Sequence, residues 1–252
     1  MSTIAAALPK TRNSVCALMR VVRHAKKKRR RQGAPSQEIQ VALTFVGTAW
    51  CIVESRILVT AHHVLNSGKP RDPNDRFYAF SVPDNGPKAF HFPVAGFLFE
   101  DPKSDTAILE IGEPAEKGQR VPPVTVTFSR PPDGTHVLTI GYPAPEIAGA
   151  NVSPAGEFLG GGQFFLKSHA NEGVVAAQYE INDGWYYEFN VGWHHGESGG
   201  PVIILGEERA VFSIMQHYRN VKTPHGVFPG PHRGIAIEVI KGALLDAGAR
   251  ET

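Results

Sequence analysis

The chain has 252 residues, 42% of them hydrophobic and 20% charged, a globular composition with enough material for one large core or two small ones. This excludes a collagen-like chain, a wholly disordered one and a disulfide-stapled mini-protein, since Cys16 and Cys51 allow one bridge at most. No apolar run approaches the roughly 18 residues of a membrane-spanning helix, and the few cysteines suit a cytoplasmic or other reducing compartment.

Charge is unevenly distributed. Met1 to Gln37 holds ten of the 26 Lys and Arg and no acid, so this stretch is +10, while 16 basic against 24 acidic residues leave the remainder at −8. The contrast predicts a basic, disordered tail over residues 1–37 and a folded unit over 38–252. Lys26 to Arg31 is an unbroken run of six cations, whose self-repulsion favours a solvated chain. Contact with nucleic acid or an anionic surface, a targeting address, and no partner at all are each compatible with it. Ile4 to Leu8 is too short for a secretory signal core, and Arg20 interrupts Val15 to Val22.

From Glu38 onward, short runs rich in Val, Ile, Phe and Tyr alternate with Gly, Pro, Asn and Asp. The first half supplies Val41 to Val46, Trp50 to Val53, Arg56 to Val59, Phe77 to Val82, Phe90 to Phe99 and Thr106 to Ile111. Val124 to Phe128, Thr135 to Ile140, Gln163 to Ser168, Val174 to Ile181 and Trp185 to Phe189 follow, then Pro201 to Leu205, Val211 to Met215 and Gly234 to Ile237. Punctuated strands of this kind predict an all-β sandwich or barrel. The clearest helix is the last segment, where Val239, Ile240, Ala243, Leu244 and Ala247 recur at three- and four-residue spacing.

Three segments carry chemistry. In Thr60-Ala61-His62-His63-Val64 a β-type run ends in a small-residue turn bearing histidine; alone, such a histidine is more often structural than catalytic. In Asp105-Thr106-Ala107-Ile108-Leu109 an acid opens an apolar strand, which alone favours a turn residue or a buried partner for a cation. In Gly196-Glu197-Ser198-Gly199-Gly200-Pro201 a serine sits among glycines. Such a backbone turns sharply enough to project Oγ and to converge N–H groups on one point. A hydroxyl needs a histidine base oriented by a third group to become a nucleophile, and all three residue types are present.

Taken jointly and in this order, the three segments resemble the signatures of trypsin-like (chymotrypsin-fold) serine peptidases, over roughly residues 41–247. Gly47-Thr48-Ala49, Asp101-Pro102 and Ile140-Gly141-Tyr142-Pro143, with the scarcity of cysteine, are closer to the HtrA-type branch than to the digestive enzymes. The chain stops soon after the last helix, leaving no room for a PDZ domain. The resemblance implies two packed six-stranded antiparallel β-barrels, dividing near residues 115–130, and a C-terminal helix. It implies a serine endopeptidase that hydrolyses peptide bonds in proteins through an acyl-enzyme, without cofactor or metal. His63 becomes the general base and acid, Asp105 its orienting group, Ser198 the nucleophile, and the N–H groups of Gly196 and Ser198 the oxyanion hole. His62 takes a slot usually held by a small residue; His63, immediately before Val64, matches the base.

Gly196 to Gly200 also fits the G-x-S-x-G elbow of α/β-hydrolases. That fold needs serine, acid and histidine in that order, with helices alternating ahead of the serine, and both features are missing. A metal site is weakly supported: there are 11 histidines, but adjacent pairs such as His62-His63 and His194-His195 point to opposite faces of a strand. A protease-like binding domain with a collapsed oxyanion hole stays open as a further alternative.

By the same resemblance Gly192 and Trp193 form the floor of the substrate pocket and Ser213 and Met215 its wall, with extended peptide or protein substrates added to the strand that follows. No aspartate stands where trypsin recognises Lys or Arg, so a small or medium apolar residue is expected there. Trypsin-type zymogens pair a released N-terminus with the acid before the serine. Here Glu197 stands in for that aspartate and no matching start is visible, which implies competence without that cleavage or ordering by substrate or partner.

Overall fold

In a computed structural model of the chain, the structure describes residues 4–28, 36–67, 70–143, 145–182, 184–192, 194–206, 209–224 and 226–252. A short helix, α1 (Ile4–Arg12), precedes a closed barrel. That barrel comprises β1 (Val15–Lys28), β2 (Ser36–Val53), β3 (Ile57–Thr60), β4 (Arg76–Ser81), β5 (Phe90–Asp101) and β6 (Thr106–Ile111), in the order β1-β2-β3-β6-β5-β4. Neighbours run antiparallel throughout, and β1 closes the ring by pairing with both β2 and β4. Leu18, Met19, Trp50, Leu58, Phe80 and Phe92 on its strands are all essentially without exposed surface. Bulges at Leu18/Met19, Cys51/Val53 and Val94/Gly96 bend the strands into closure.

The chain crosses to the second half between Ile111 and His136, leaving a two-residue strand, β7 (Thr125–Val126), on the way. β8 (His136–Gly141) is followed by four short strands in two ribbons: β9 (Glu146–Ala148), β10 (Asn151–Val152), β11 (Phe158–Gly160) and β12 (Gln163–Phe165). β9 pairs with β12, and β10 with β11. Then come β13 (His169–Ile181), β14 (Gly184–Phe189), β15 (Pro201–Ile204), β16 (Ala210–Thr223) and β17 (Gly226–Ala236). β15 pairs with both β8 and β16, which closes β8-β13-β14-β17-β16-β15 into a second six-stranded antiparallel barrel; β7 adds to β16 in parallel. Val137, Val175, Phe189, Val202, Phe212 and Met215 form its own core. A 3₁₀ turn at Ile237–Ile240 leads into the C-terminal helix, Lys241–Asp246, which buries Leu244 as the three- and four-residue spacing expects.

The expected all-β architecture of two six-stranded barrels with a C-terminal helix is what the chain forms. The N-terminal boundary differs. Val15–Lys28 is not tail but the closing strand of the first barrel, and the boundary near residue 38 falls inside β2. Residues 15–22 are buried, Arg20 included, because the Arg20 guanidinium is ion-paired with Asp75 and donates to the carbonyl of Pro70 at 2.9 Å. A buried cation so paired is compatible with a core strand. Of the six-cation run, Lys26–Lys28 end this strand, and Arg29–Arg31 lie outside the described residues.

Candidate active site

The first barrel supplies a histidine and a carboxylate. β3 ends at Thr60, and the chain turns through buried Ala61 into a single helical turn, α2 (His62–Leu65), anchored inward by Val64 and Leu65. Asp105 sits in the turn before β6 with φ +54°, a left-handed conformation unusual for a non-glycine residue. Three contacts to α2 hold it there: the His62 N–H donates to its carbonyl (3.1 Å), the His63 N–H to Oδ1 (2.7 Å), and His63 Nδ1 lies 2.7 Å from Oδ2. An ionised carboxylate only accepts, so Nδ1 carries the proton and Nε2 keeps a lone pair for a base's work. Asp101 braces the same turn, accepting from the Lys103 N–H and from Ser104 Oγ; the Ser104 hydroxyl bond is the main reason its carboxyl is held below the ordinary value.

The second barrel supplies the serine turn between β14 and β15. Gly196 has φ +101°, and a Cβ there would lie 2.5 Å from the Tyr142 carbonyl oxygen. At Gly199 (φ +86°) a Cβ would lie 2.2 Å from Thr60 Oγ1. Both positions therefore require glycine, and through Gly199 the serine backbone presses directly on the first barrel. Thr48 of β2 pins the turn: its Oγ1 donates to the Gly196 carbonyl (2.8 Å) and accepts from the Tyr142 N–H (3.0 Å), while its N–H donates to the Ser198 carbonyl (2.9 Å). Among the described residues, the N–H groups of Gly196 and Ser198 have no intramolecular acceptor.

Glu197 points inward and is fully buried. Its carboxylate accepts from the His194 backbone N–H and from Asn171 Nδ2 (3.2 Å), while its own N–H donates to the His194 carbonyl (3.1 Å). These reciprocal bonds close a ring over residues 194–197, immediately ahead of the serine. Burial pushes the Glu197 carboxyl above its ordinary value, against the opposing effect of these donors. Ser198 Oγ donates to the Gln216 carbonyl at 2.7 Å, and Gln216 Nε2 donates to the Ser104 carbonyl at 2.9 Å, beside Asp105. One residue of β16 thus touches both the serine and the loop carrying the acid. His63 and Ser198 both line a cleft of about 560 Å³.

A family model described as a trypsin-like peptidase domain matches residues 47–211, spanning all three segments. The chain belongs to the trypsin-like peptidase family. No curated protein sequence matches it. Among solved structures it is similar to an HtrA-type protease, AlgW with a decapeptide, with a TM-score of 0.62 and 16% identity over 98% of this chain and 68% of that one. It is also similar to Deg5, with a TM-score of 0.54 and 17% identity over 96% of this chain and 93% of that one. These likenesses concern the fold. Membership of the family makes the chain a serine protease of the hydrolase class, acting on proteins. Among the described residues no helix is long and apolar enough to cross a membrane.

In this trypsin-like peptidase the structure brings His63, Ser198 and Gly196 to one cleft, with Asp105 bonded to His63. His62 turns instead toward Glu100 (3.7 Å), which Arg71 grips with two bonds of 2.9 Å. Gly192 is exposed beside the serine loop, and Trp193 lies outside the described residues. Ser213 and Met215 are corrected as cleft-wall residues: both are fully buried, with Met215 in the second core against Gly200. The residues of β16 that come to the histidine and serine are Gln216 and His217. His217 lies near Asp105, His63 and Arg233; partial burial, then the Arg233 guanidinium, pushes its ring below the ordinary value against the opposing effect of Asp105. Thr48, Gln216 and Asn171 escaped the sequence reading. Only Thr48 had a signal there, as part of Gly47-Thr48-Ala49.

Proposed function

We propose that the protein is a serine endopeptidase using Ser198 as nucleophile, His63 as general base and acid, and Asp105 to fix the imidazole tautomer. The observation that carries this reading is the two-point contact between Asp105 and His63, by backbone N–H and by Nδ1, on a cleft that also presents Ser198. Ser198 Oγ turns from the Gln216 carbonyl to His63 Nε2, gives up its proton and attacks the scissile carbonyl. The N–H groups of Gly196 and Ser198 receive the oxyanion. His63 then protonates the departing amine, and water repeats the sequence on the acyl-enzyme.

An extended peptide adding along β16 supplies the acyl side, in keeping with the decapeptide named with AlgW. Gly192 in place of an aspartate favours a small or medium apolar residue over Lys or Arg at that point. The bond from Ser198 Oγ to the Gln216 carbonyl supports a second reading, a latent domain whose serine proton is held away from the base. Fluorophosphonate labelling decides between them. The active enzyme gives a single adduct at Ser198, absent in Ser198→Ala and strongly reduced in His63→Ala. A folded protein that stays unlabelled overturns the endopeptidase reading.

A further inference from the structure

The cleft holding His63 and Ser198 has a second wall that none of the catalytic steps requires. Its lining includes Leu43, Phe45 and Val46 of β2, together with Pro145 and Ile147 at the root of the ribbon formed by β9 and β12. Among the described residues no Asp, Glu, Lys or Arg lines this cleft and no residue of β16 or β17 does so; its polar lining is Thr44, Ser67, His195 and the catalytic pair His63 and Ser198. The ribbon is also fastened to the first barrel. Phe164, directly across from Ile147, packs on Phe80 with ring centroids 5.2 Å apart. Phe158 donates its N–H to the Tyr78 hydroxyl (2.9 Å), and Ser168 exchanges backbone bonds of 2.9 Å with the Asn85 side chain. The wall is therefore built into the fold, with anchors at both ends.

The reaction sets which part of a substrate meets this wall. The acyl part lies along β16, on the side to which Ser198 Oγ now points. The departing amine leaves toward His63, which protonates it. The cleft, with His63 in its lining and nothing from β16, lies on that departing side. A charged side chain entering it would shed water without meeting an Asp, Glu, Lys or Arg among the described lining residues, whereas an aliphatic or aromatic one would cover the half-buried Phe45 and Ile147.

Resting on the peptidase reading above, we propose that the ribbon-walled cleft is the leaving-group site, and that it selects bonds followed by an apolar residue. Ile147 is a specificity-determining residue for that side of the scissile bond.

The test is trapping of the acyl-enzyme by added amines. With an N-blocked alanine p-nitrophenyl ester as donor, an amino-acid amide attacks the acyl carbonyl, His63 takes its proton and passes it to departing Ser198 Oγ, and a dipeptide amide is released. Water gives the free acid instead. Paired amides compete for one acyl-enzyme, so the ratio of dipeptide products read by mass spectrometry is independent of how much enzyme is active. Leucinamide and phenylalaninamide should outcompete the α-amides of aspartate and lysine by about tenfold or more, the discrimination of an apolar pocket. Ile147→Asp should collapse that preference and favour lysinamide. Indiscriminate trapping, or a preference unchanged in Ile147→Asp, overturns the proposal and leaves the peptidase intact. Absence of both ester turnover and fluorophosphonate labelling overturns the two together.

Discussion

Replacing Thr48 by valine keeps the shape of a fully buried side chain and deletes one oxygen. That oxygen makes two bonds, donating to the Gly196 carbonyl at 2.8 Å and accepting from the Tyr142 N–H at 3.0 Å. Thr48→Val leaves both partners without that bond, the Tyr142 N–H in a buried place and the Gly196 carbonyl in a partly buried one. At about 1 to 3 kcal/mol for each stranded group, the loss is about 2 to 6 kcal/mol, a large part of the roughly 5 to 15 kcal/mol that keeps a domain folded. Activity should fall further than stability alone explains, because the Gly196 carbonyl is the tether that aims the turn presenting the Gly196 and Ser198 N–H groups. Loss of one aligned donor corresponds to about a hundredfold or more in kcat. Thr48→Ser keeps both bonds and gives up one methyl, about 1 kcal/mol, with kcat close to the parent. Urea unfolding gives the first quantity, and ester turnover at a temperature where all three proteins are folded gives the second. If the folded valine variant turns over like the serine variant, Thr48 is packing and the tether argument fails.

Other outcomes follow from buried groups. Arg20→Met should cost about 3 to 5 kcal/mol by stranding Asp75, and the double change Arg20→Met with Asp75→Leu should recover much of it; equal losses in the single and double variants would contradict the pairing. Because burial raises the Glu197 carboxyl above 4.5, the native state keeps a proton that the unfolded chain has already released, so this group's contribution to stability falls as pH rises from 4.5 through the folded value. Glu197→Gln should remove that slope, and parallel curves of Tm against pH for the two proteins would refute the assignment. Cys16 and Cys51 are free and buried, with the Cys51 thiol pushed up to about 12 by burial and Cys16 raised as well. Neither should react with Ellman's reagent before the protein unfolds; rapid reaction in native buffer would count against the packing of β1 on β2.

The parts legible in the sequence were those written in contiguous residues. His63, Asp105 and Ser198 each sit in a short segment whose neighbours do local work: small residues let α2 turn, apolar ones anchor β6, and glycines admit the close approach to Thr60. What stayed hidden depends on distant chain. Gln216 and Asn171 have no local mark, because their partners Ser104 and Glu197 are 112 and 26 residues away in sequence. The pocket strand was read too early, since the bulge at Met215/His217 brings Gln216 and His217, rather than Ser213 and Met215, to the serine and histidine. The first strand was missed for a different reason. Charge summed over 37 residues masked the apolar run Val15–Val22, and Arg20 looked like an interruption until its ion pair with Asp75 was seen.

That first strand bears on how the molecule survives outside its folded state. Trimming the chain to begin at Glu38, as its charge pattern invites, would take away β1 and open the ring between β2 and β4. Two long rows of backbone N–H and C=O groups would then face solvent beside Trp50 and Phe80, a template for sheet growth between molecules. Versions of the protein that lack β1 should therefore form insoluble aggregates.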